Sequence, residues 1–214
     1  MPETNSSGDN GYLLRYFEMC RNAEYSNAEN SASYSFEKDG DALYILLEKS
    51  NGLTDWKNNL DFPTSEYKKL GRKWFCHRGF LRVWNTLEPI IAEKISESLI
   101  KKITVIGYSH GAALAVFAHE FIWYNRPDLR ENLTGYGFGC PRVYWGYVVN
   151  SQLRERWKNF FVIRNKTDLV THLPPLIFGY RHVGKMVRVG KYFRYSPIDA
   201  HRPESYEKEL KYDK

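Results

Sequence analysis

Five consecutive residues constrain this chain more than any others: Gly107-Tyr108-Ser109-His110-Gly111. They join two runs of opposite character. Lys102–Tyr108 (KITVIGY) is short, apolar and rich in β-branched residues, the pattern of a buried strand. His110–Tyr124 (HGAALAVFAHEFIWY) is alanine-rich and reads as a helix able to pack closely on a sheet. A strand that becomes a helix across so short a junction needs a tight turn, with a strained backbone at the serine. Side chains two positions to either side would collide, and glycine at 107 and 111 avoids this. The strain lifts the serine hydroxyl above the sheet at a helix N-terminus, where N–H groups and the helix dipole favour developing negative charge. G-x-S-x-G between a strand and a helix is the setting of a nucleophilic serine. The plainer reading is a glycine-bracketed turn with an incidental serine.

The remainder of the chain alternates strands and helices. Residues 11–30 read as a helix, 32–38 and 43–48 as strands, and Arg78–Leu99 as a helix with a long apolar face. Strands are expected at Leu133–Gly137, Asn159–Arg164 and Val183–Val189, with a helix near Tyr147–Trp157. Pro174–Pro175 breaks the chain, and Pro203 opens a terminal helix. No repeat or linker divides the sequence, so one domain over residues 1–214 is expected. The alternation implies an α/β fold: a central, mostly parallel sheet flanked by helices.

A serine is a poor nucleophile at neutral pH unless a histidine takes its proton and an acid holds that histidine. In α/β-hydrolases these follow in the order serine, acid, histidine. His77 precedes Ser109, and His110 and His119 lie on the helix that Ser109 starts, where neither folds back easily. Of His172, His182 and His201, the last is favoured. It lies in a loop beyond the last strand, whereas His182 opens a strand and His172 is too near Asp168 to be placed independently. Asp168 is favoured as the acid because it follows the strand FFVIRN, where this kind of fold builds its site. Asp199 competes, but lies two residues from His201.

Other classes are excluded by what is missing. Cys20, Cys76 and Cys140 form no disulfide framework and no C-x-x-C metal pattern, so free thiols are expected and no metal or cofactor is implied. The net charge is +6, and the densest basic patch is Arg181–Arg194. No nucleic-acid motif accompanies it, so it reads as a solvated hairpin and not a nucleic-acid surface. No apolar run reaches the ~18 residues of a membrane span, so no stable membrane anchor is expected. The N-terminus lacks a basic segment followed by an apolar one, so a cytoplasmic location, or export by an unrecognised route, is expected.

Taken in order, GYSHGAALA, GFGCPRV, NKTDLVTHLPP, YRHVGK and AHRPESY resemble the class 3 lipases, the fungal-type triacylglycerol lipases and their feruloyl-esterase relatives. LYILLEKSNGLTDWKNNL and HRGFLRVW agree upstream, so the likeness runs from about residue 30 to the end. It implies an α/β-hydrolase fold and a carboxylic-ester hydrolase with the triad Ser109, Asp168 and His201. His182 corresponds to a histidine that is not catalytic in the family. The oxyanion hole is expected from the N–H of His110, after the nucleophile, and from Ser50, which matches the end of an F-R-G-T-like motif. Here that motif reads Leu47-Glu48-Lys49-Ser50, without the usual arginine and glycine.

The resemblance also implies a lid over about residues 51–63, where Leu53, Trp56 and Leu60 give one apolar face. An ordinary packed surface helix or a fixed polar rim fits the same residues. An ester or lipid substrate, with transient contact at a lipid interface, is the partner expected. Phospholipid hydrolysis or acyl transfer by the same triad is one alternative. A catalytically silent binding module, favoured only by the altered LEKS segment, is the other.

Overall fold

The structure, a computed structural model, describes residues 11–28, 32–49, 63–67, 74–146, 151–191 and 195–212. Ser50 and almost all of the segment expected as a lid lie outside the described residues. Helix α1 spans Gly11–Asn22. It ends sooner than the sequence suggests, because the chain turns into a short strand β1 at Ser26–Asn27. Strands β2 (Ala32–Asp39) and β3 (Ala42–Lys49) form an antiparallel pair around a turn in which Gly40 has φ 60°. Helix α2 is Arg78–Ile95, with His77 accepting the Phe80 N–H as its N-cap. Strand β6 is Lys102–Tyr108 and helix α3 is His110–Asn125. Strand β7 is Leu133–Phe138, helix α4 is Ser151–Arg156, and strand β9 is Phe160–Asn165. Strand β11 (Lys185–Val189) and helix α5 (Pro203–Tyr212) complete the chain.

These strands form a seven-stranded sheet in the order β1-β2-β3-β6-β7-β9-β11. From β3 to β11 the pairing is parallel, and β1 and β2 add an antiparallel edge. That is the mostly parallel sheet expected, with one correction. Among the described residues, the basic stretch after Arg181 forms no hairpin, because β11 pairs in parallel with β9 and lies at the edge of the main sheet. The sequence also gave no hint of a small second sheet, β10-β8-β5-β4. It is built from Tyr180–Arg181, Tyr144–Trp145, Trp74–His77 and Thr64–Tyr67. Strands of two to four residues carry too little periodicity to be read.

Strand β6 is buried from Ile103 to Tyr108, and successive side chains enter cores on opposite faces of the sheet. Ile103 and Val105 face the core beneath α2 and α3, while Ile106 and Tyr108 face the core shared with α1 and α5. Helix α3 is apolar all round and enclosed, which its alanines permit. One ion pair is sealed inside that layer. Arg156 bonds Glu120, the Tyr144 hydroxyl donates to the other Glu120 oxygen, and the guanidinium lies 4.8 Å from the Trp74 ring centre and 4.9 Å from that of Tyr124. Burial pushes the Glu120 carboxyl up, while the guanidinium and the hydroxyl pull it down. Leaving either partner alone would cost about 3–5 kcal/mol.

His119 is a different case. It is 1% exposed on α3, and neither ring nitrogen meets a hydrogen-bond partner among the described residues. Burial lowers its pKa to about 3, against about 6.5 in an unfolded chain. Between these values the unfolded chain binds a proton that the folded chain does not, so folded stability falls as pH falls through that window. His119→Leu removes the linkage. Urea unfolding from neutral pH downward is expected to show the variant gaining on the wild type by about 1.4 kcal/mol per pH unit below pH ~6.5. Parallel curves would mean that the imidazole is satisfied or charged in the fold.

Candidate active site

The turn between β6 and α3 has the strain that its glycines imply. Ser109 has φ 56° and ψ −120°, and among the described residues it is the one non-glycine residue with positive φ. Such a conformation costs about 1–3 kcal/mol and persists only where its surroundings enforce it. A Cβ on Gly107 would stand 2.3 Å from the Gly111 carbonyl oxygen, and one on Gly111 would stand 2.1 Å from that of Leu47. The Ser109 N–H donates to the Phe138 carbonyl at 2.9 Å, which continues the β6–β7 ladder past the strand end. Directly after it, His110 starts α3 with its side chain buried 5.2 Å from the Phe80 ring.

The three residues singled out from the sequence meet. Ser109 Oγ lies 2.8 Å from His201 Nε2, and His201 Nδ1 lies 2.8 Å from Asp168 Oδ2. A carboxylate oxygen only accepts, so Nδ1 carries the proton and Nε2 is left to accept from the hydroxyl. Asp168 is fully buried. Besides His201, its carboxylate accepts the Tyr206 hydroxyl on Oδ2 at 2.6 Å and the Val170 N–H on Oδ1 at 2.8 Å. The competitors are engaged elsewhere. Asp199 accepts from Ser196 at 2.6 Å and pairs with Arg202. His182 Nε2 donates to the Thr171 carbonyl at 2.8 Å, and burial lowers its pKa to about 4.

Three strand ends set the spacing. Ser109 follows β6, Gly139 follows β7, and Asp168 lies three residues past β9. Gly139 has φ 60°, and a Cβ there would stand 2.8 Å from His201 Cε1 and 3.2 Å from Asp168 Oδ2. The imidazole therefore occupies room that a side chain would fill.

The loop that carries Asp168 is clamped by groups the sequence did not mark as supports, among them His172, a candidate base there. The Thr171 hydroxyl donates to the Asp168 carbonyl at 2.8 Å, and so does His172 Nδ1. Arg142 reaches into the loop, its guanidinium bonding the His172 and Pro174 carbonyls and its N–H the Leu173 carbonyl. Asn165 donates to the Ala200 carbonyl at 3.0 Å and ties β9 to the turn before His201. Tyr206 and Arg142 stand within AHRPESY and GFGCPRV, but neither spacing nor residue type marks them as supports. Tyr108 was legible only as the end of a strand. Its ring lies 5.4 Å from the His201 imidazole, 18° from parallel, and its hydroxyl donates to the His201 carbonyl.

Several large apolar side chains are exposed on the turns next to Asp168 and His201 in the chain. Leu169 is 44% exposed and Ile198 71% exposed, and the Leu169 N–H donates to the Pro197 carbonyl, which sets the two side by side. Leu176, Ile177 and Phe178 are exposed on the turn that follows the Asp168 loop. The Trp145 indole donates to the Phe178 carbonyl at 2.7 Å. No group of side chains able to hold a metal ion occurs among the described residues, nor does a helix long and apolar enough to cross a membrane.

The chain is similar to known proteins over most of its length. A family model described as "Lipase (class 3)" matches residues 44–178. A lipase from Rhizomucor miehei is 30% identical over 153 residues, covering 67% of this chain and 40% of the relative. A secreted mono- and diacylglycerol lipase, MDL5 of Malassezia globosa, is 26% identical over 191 residues, covering 77% of this chain and 59% of the relative. The chain thus spans about two-fifths of the length of the first relative. Among solved structures, a fungal lipase–inhibitor complex superposes with a TM-score of 0.70 at 17% identity, covering 89% of this chain and 92% of that one. A triacylglycerol lipase with a serine-protease triad as its catalytic centre gives 0.67 at 21% identity, over 78% and 66%. At such identities these structures bear on the fold alone, which is that of α/β-hydrolases.

Proposed function

Since this chain belongs to the class 3 lipase family, we propose that it is a serine hydrolase of carboxylic esters with long apolar acyl chains, such as acylglycerols. The observation that carries the reading is the unbroken path of 2.8 Å hydrogen bonds from Ser109 through His201 to Asp168. Ser109 Oγ attacks the ester carbonyl as its proton passes to His201 Nε2. Asp168 keeps the imidazole in the required tautomer and offsets the charge that forms on it. The tetrahedral oxyanion is held by the N–H of His110, with Ser50 as the second donor. His201 then returns the proton to the departing alcohol. A water deprotonated by the same imidazole hydrolyses the acyl-enzyme.

The apolar rim supports the acyl preference. Exposed large apolar groups such as Leu169 and Ile198, on the loops that carry Asp168 and His201, suit a lipid chain or a lipid surface, which would repay their cost in water. Residues 51–63 would act as a cover over that face. Hydrolysis of p-nitrophenyl esters from acetyl to palmitoyl tests the proposal. The rate is expected to rise with chain length and again when the ester is emulsified. A preference for acetyl with no response to emulsion would restrict the protein to small soluble esters. No turnover across the series would overturn the hydrolase reading.

A further inference from the structure

Tyr108 is tied to the two reacting residues in two ways, by the peptide bond to Ser109 and by contact with His201. It precedes Ser109 and ends β6, and its side chain leaves the sheet on the face opposite α3. There it meets His201 twice, through the offset stack on the imidazole and through the hydroxyl on the His201 carbonyl. Phe17 and Tyr206 close on it edge-on at 5.7 and 6.1 Å, so the ring has little room to turn. We propose that Tyr108 is a positioning residue that fixes the base relative to the nucleophile. This rests on the triad reading above.

The need for such a residue is physical. His201 sits on a single short turn, Asp199–His201, and the ring torsion of a histidine is broad. Asp168 fixes one end of the imidazole but not its plane. The Tyr108 face supplies the plane, and its hydroxyl fixes the backbone from which the imidazole hangs. Any displacement of the β6 end then carries Ser109 and His201 together. When His201 takes up the serine proton, an aromatic ring within ~6 Å also favours the cation formed. The charged and titratable groups around the pair are Asp168, Tyr206 and Glu204 on α5, Arg21 on α1 and Glu48 on β3, with Asp199 and Arg202 on the turn of His201 itself.

The test is the rate at which a fluorophosphonate labels Ser109 in the full chain between about pH 5 and pH 9, which needs no knowledge of the natural ester. Tyr108→Phe keeps the stack and loses the hydroxyl. It is expected to label about tenfold more slowly, with the acid limb of the profile in place. Tyr108→Leu loses both, and should label about 10²-fold more slowly, with the acid limb moved to lower pH. A merely structural role would reduce the fraction of Ser109 that finally labels, leaving the rate per reactive site and the limb unchanged. That outcome, or a Leu variant within about twofold of wild type, overturns the proposal. Wild-type protein that never labels would sink the triad reading itself. A labelled wild type with unaffected Tyr108 variants would sink this inference alone.

Discussion

Ser109→Ala is expected to lower ester turnover by at least ~10³-fold while leaving the fold in place. The two halves of that expectation have separate causes. The hydroxyl is the only atom lost, and its hydrogen bond goes to His201, which Asp168 and Tyr108 hold independently. The backbone strain at φ 56° is enforced by the glycines and the ladder around it, so an alanine inherits the same conformation. Melting temperature should therefore move little, while kcat on a p-nitrophenyl ester collapses. Residues that act as one unit are far from additive, so adding Asp168→Asn to Ser109→Ala should cost little more. A single variant keeping a tenth or more of the activity would mean that some other group attacks the ester.

The largest structural effect is expected from Gly111→Ala. The added Cβ would stand 2.1 Å from the Leu47 carbonyl oxygen, 2.5 Å from its carbon and 2.8 Å from Glu48 Cα. All three are backbone atoms, so no rotamer change relieves the contact. Strand β3 retreats only by breaking pairing, since it is paired along its length with β2 and over Ala42–Leu47 with β6. Helix α3 or the β3 end must give. The loss should be on the order of 3 kcal/mol or more, a sizeable part of the ~5–15 kcal/mol that holds a domain together. A urea midpoint unchanged from wild type would show that β3 yields freely. The residual activity of whatever folds is equally informative, because the disturbed strand end leads directly to Ser50.

The sequence made legible what rests on local rules. Ser109 announced itself through the glycines that its turn requires. Asp168 and His201 followed from chain order and from their places after strands, and β6 from its short apolar, β-branched run. What stayed hidden depends on long-range partners. Tyr206 reaches Asp168 across 38 residues and Arg142 reaches Pro174 across 32, and nothing in either residue's neighbourhood foretells its target. The second sheet was missed because its strands are too short to show a period. The basic stretch after Arg181 was misread because charge is a property of side chains, whereas membership of a sheet is decided by the backbone.

One consequence follows from the way the main sheet is ruled. Adjacent strands lie about 4.8 Å apart, so the end of β6 and the end of β9, with β7 between them, are separated by about 10 Å. That interval is set by backbone pairing and not by side chains. An imidazole with one hydrogen bond at each end is a ruler for such a gap, and Gly139 leaves the middle tooth of the comb short enough for the ruler to lie flat. Serine and acid therefore keep their distance for as long as the sheet stays paired. Whatever binds above the site, the gauge beneath it is the period of a β-sheet.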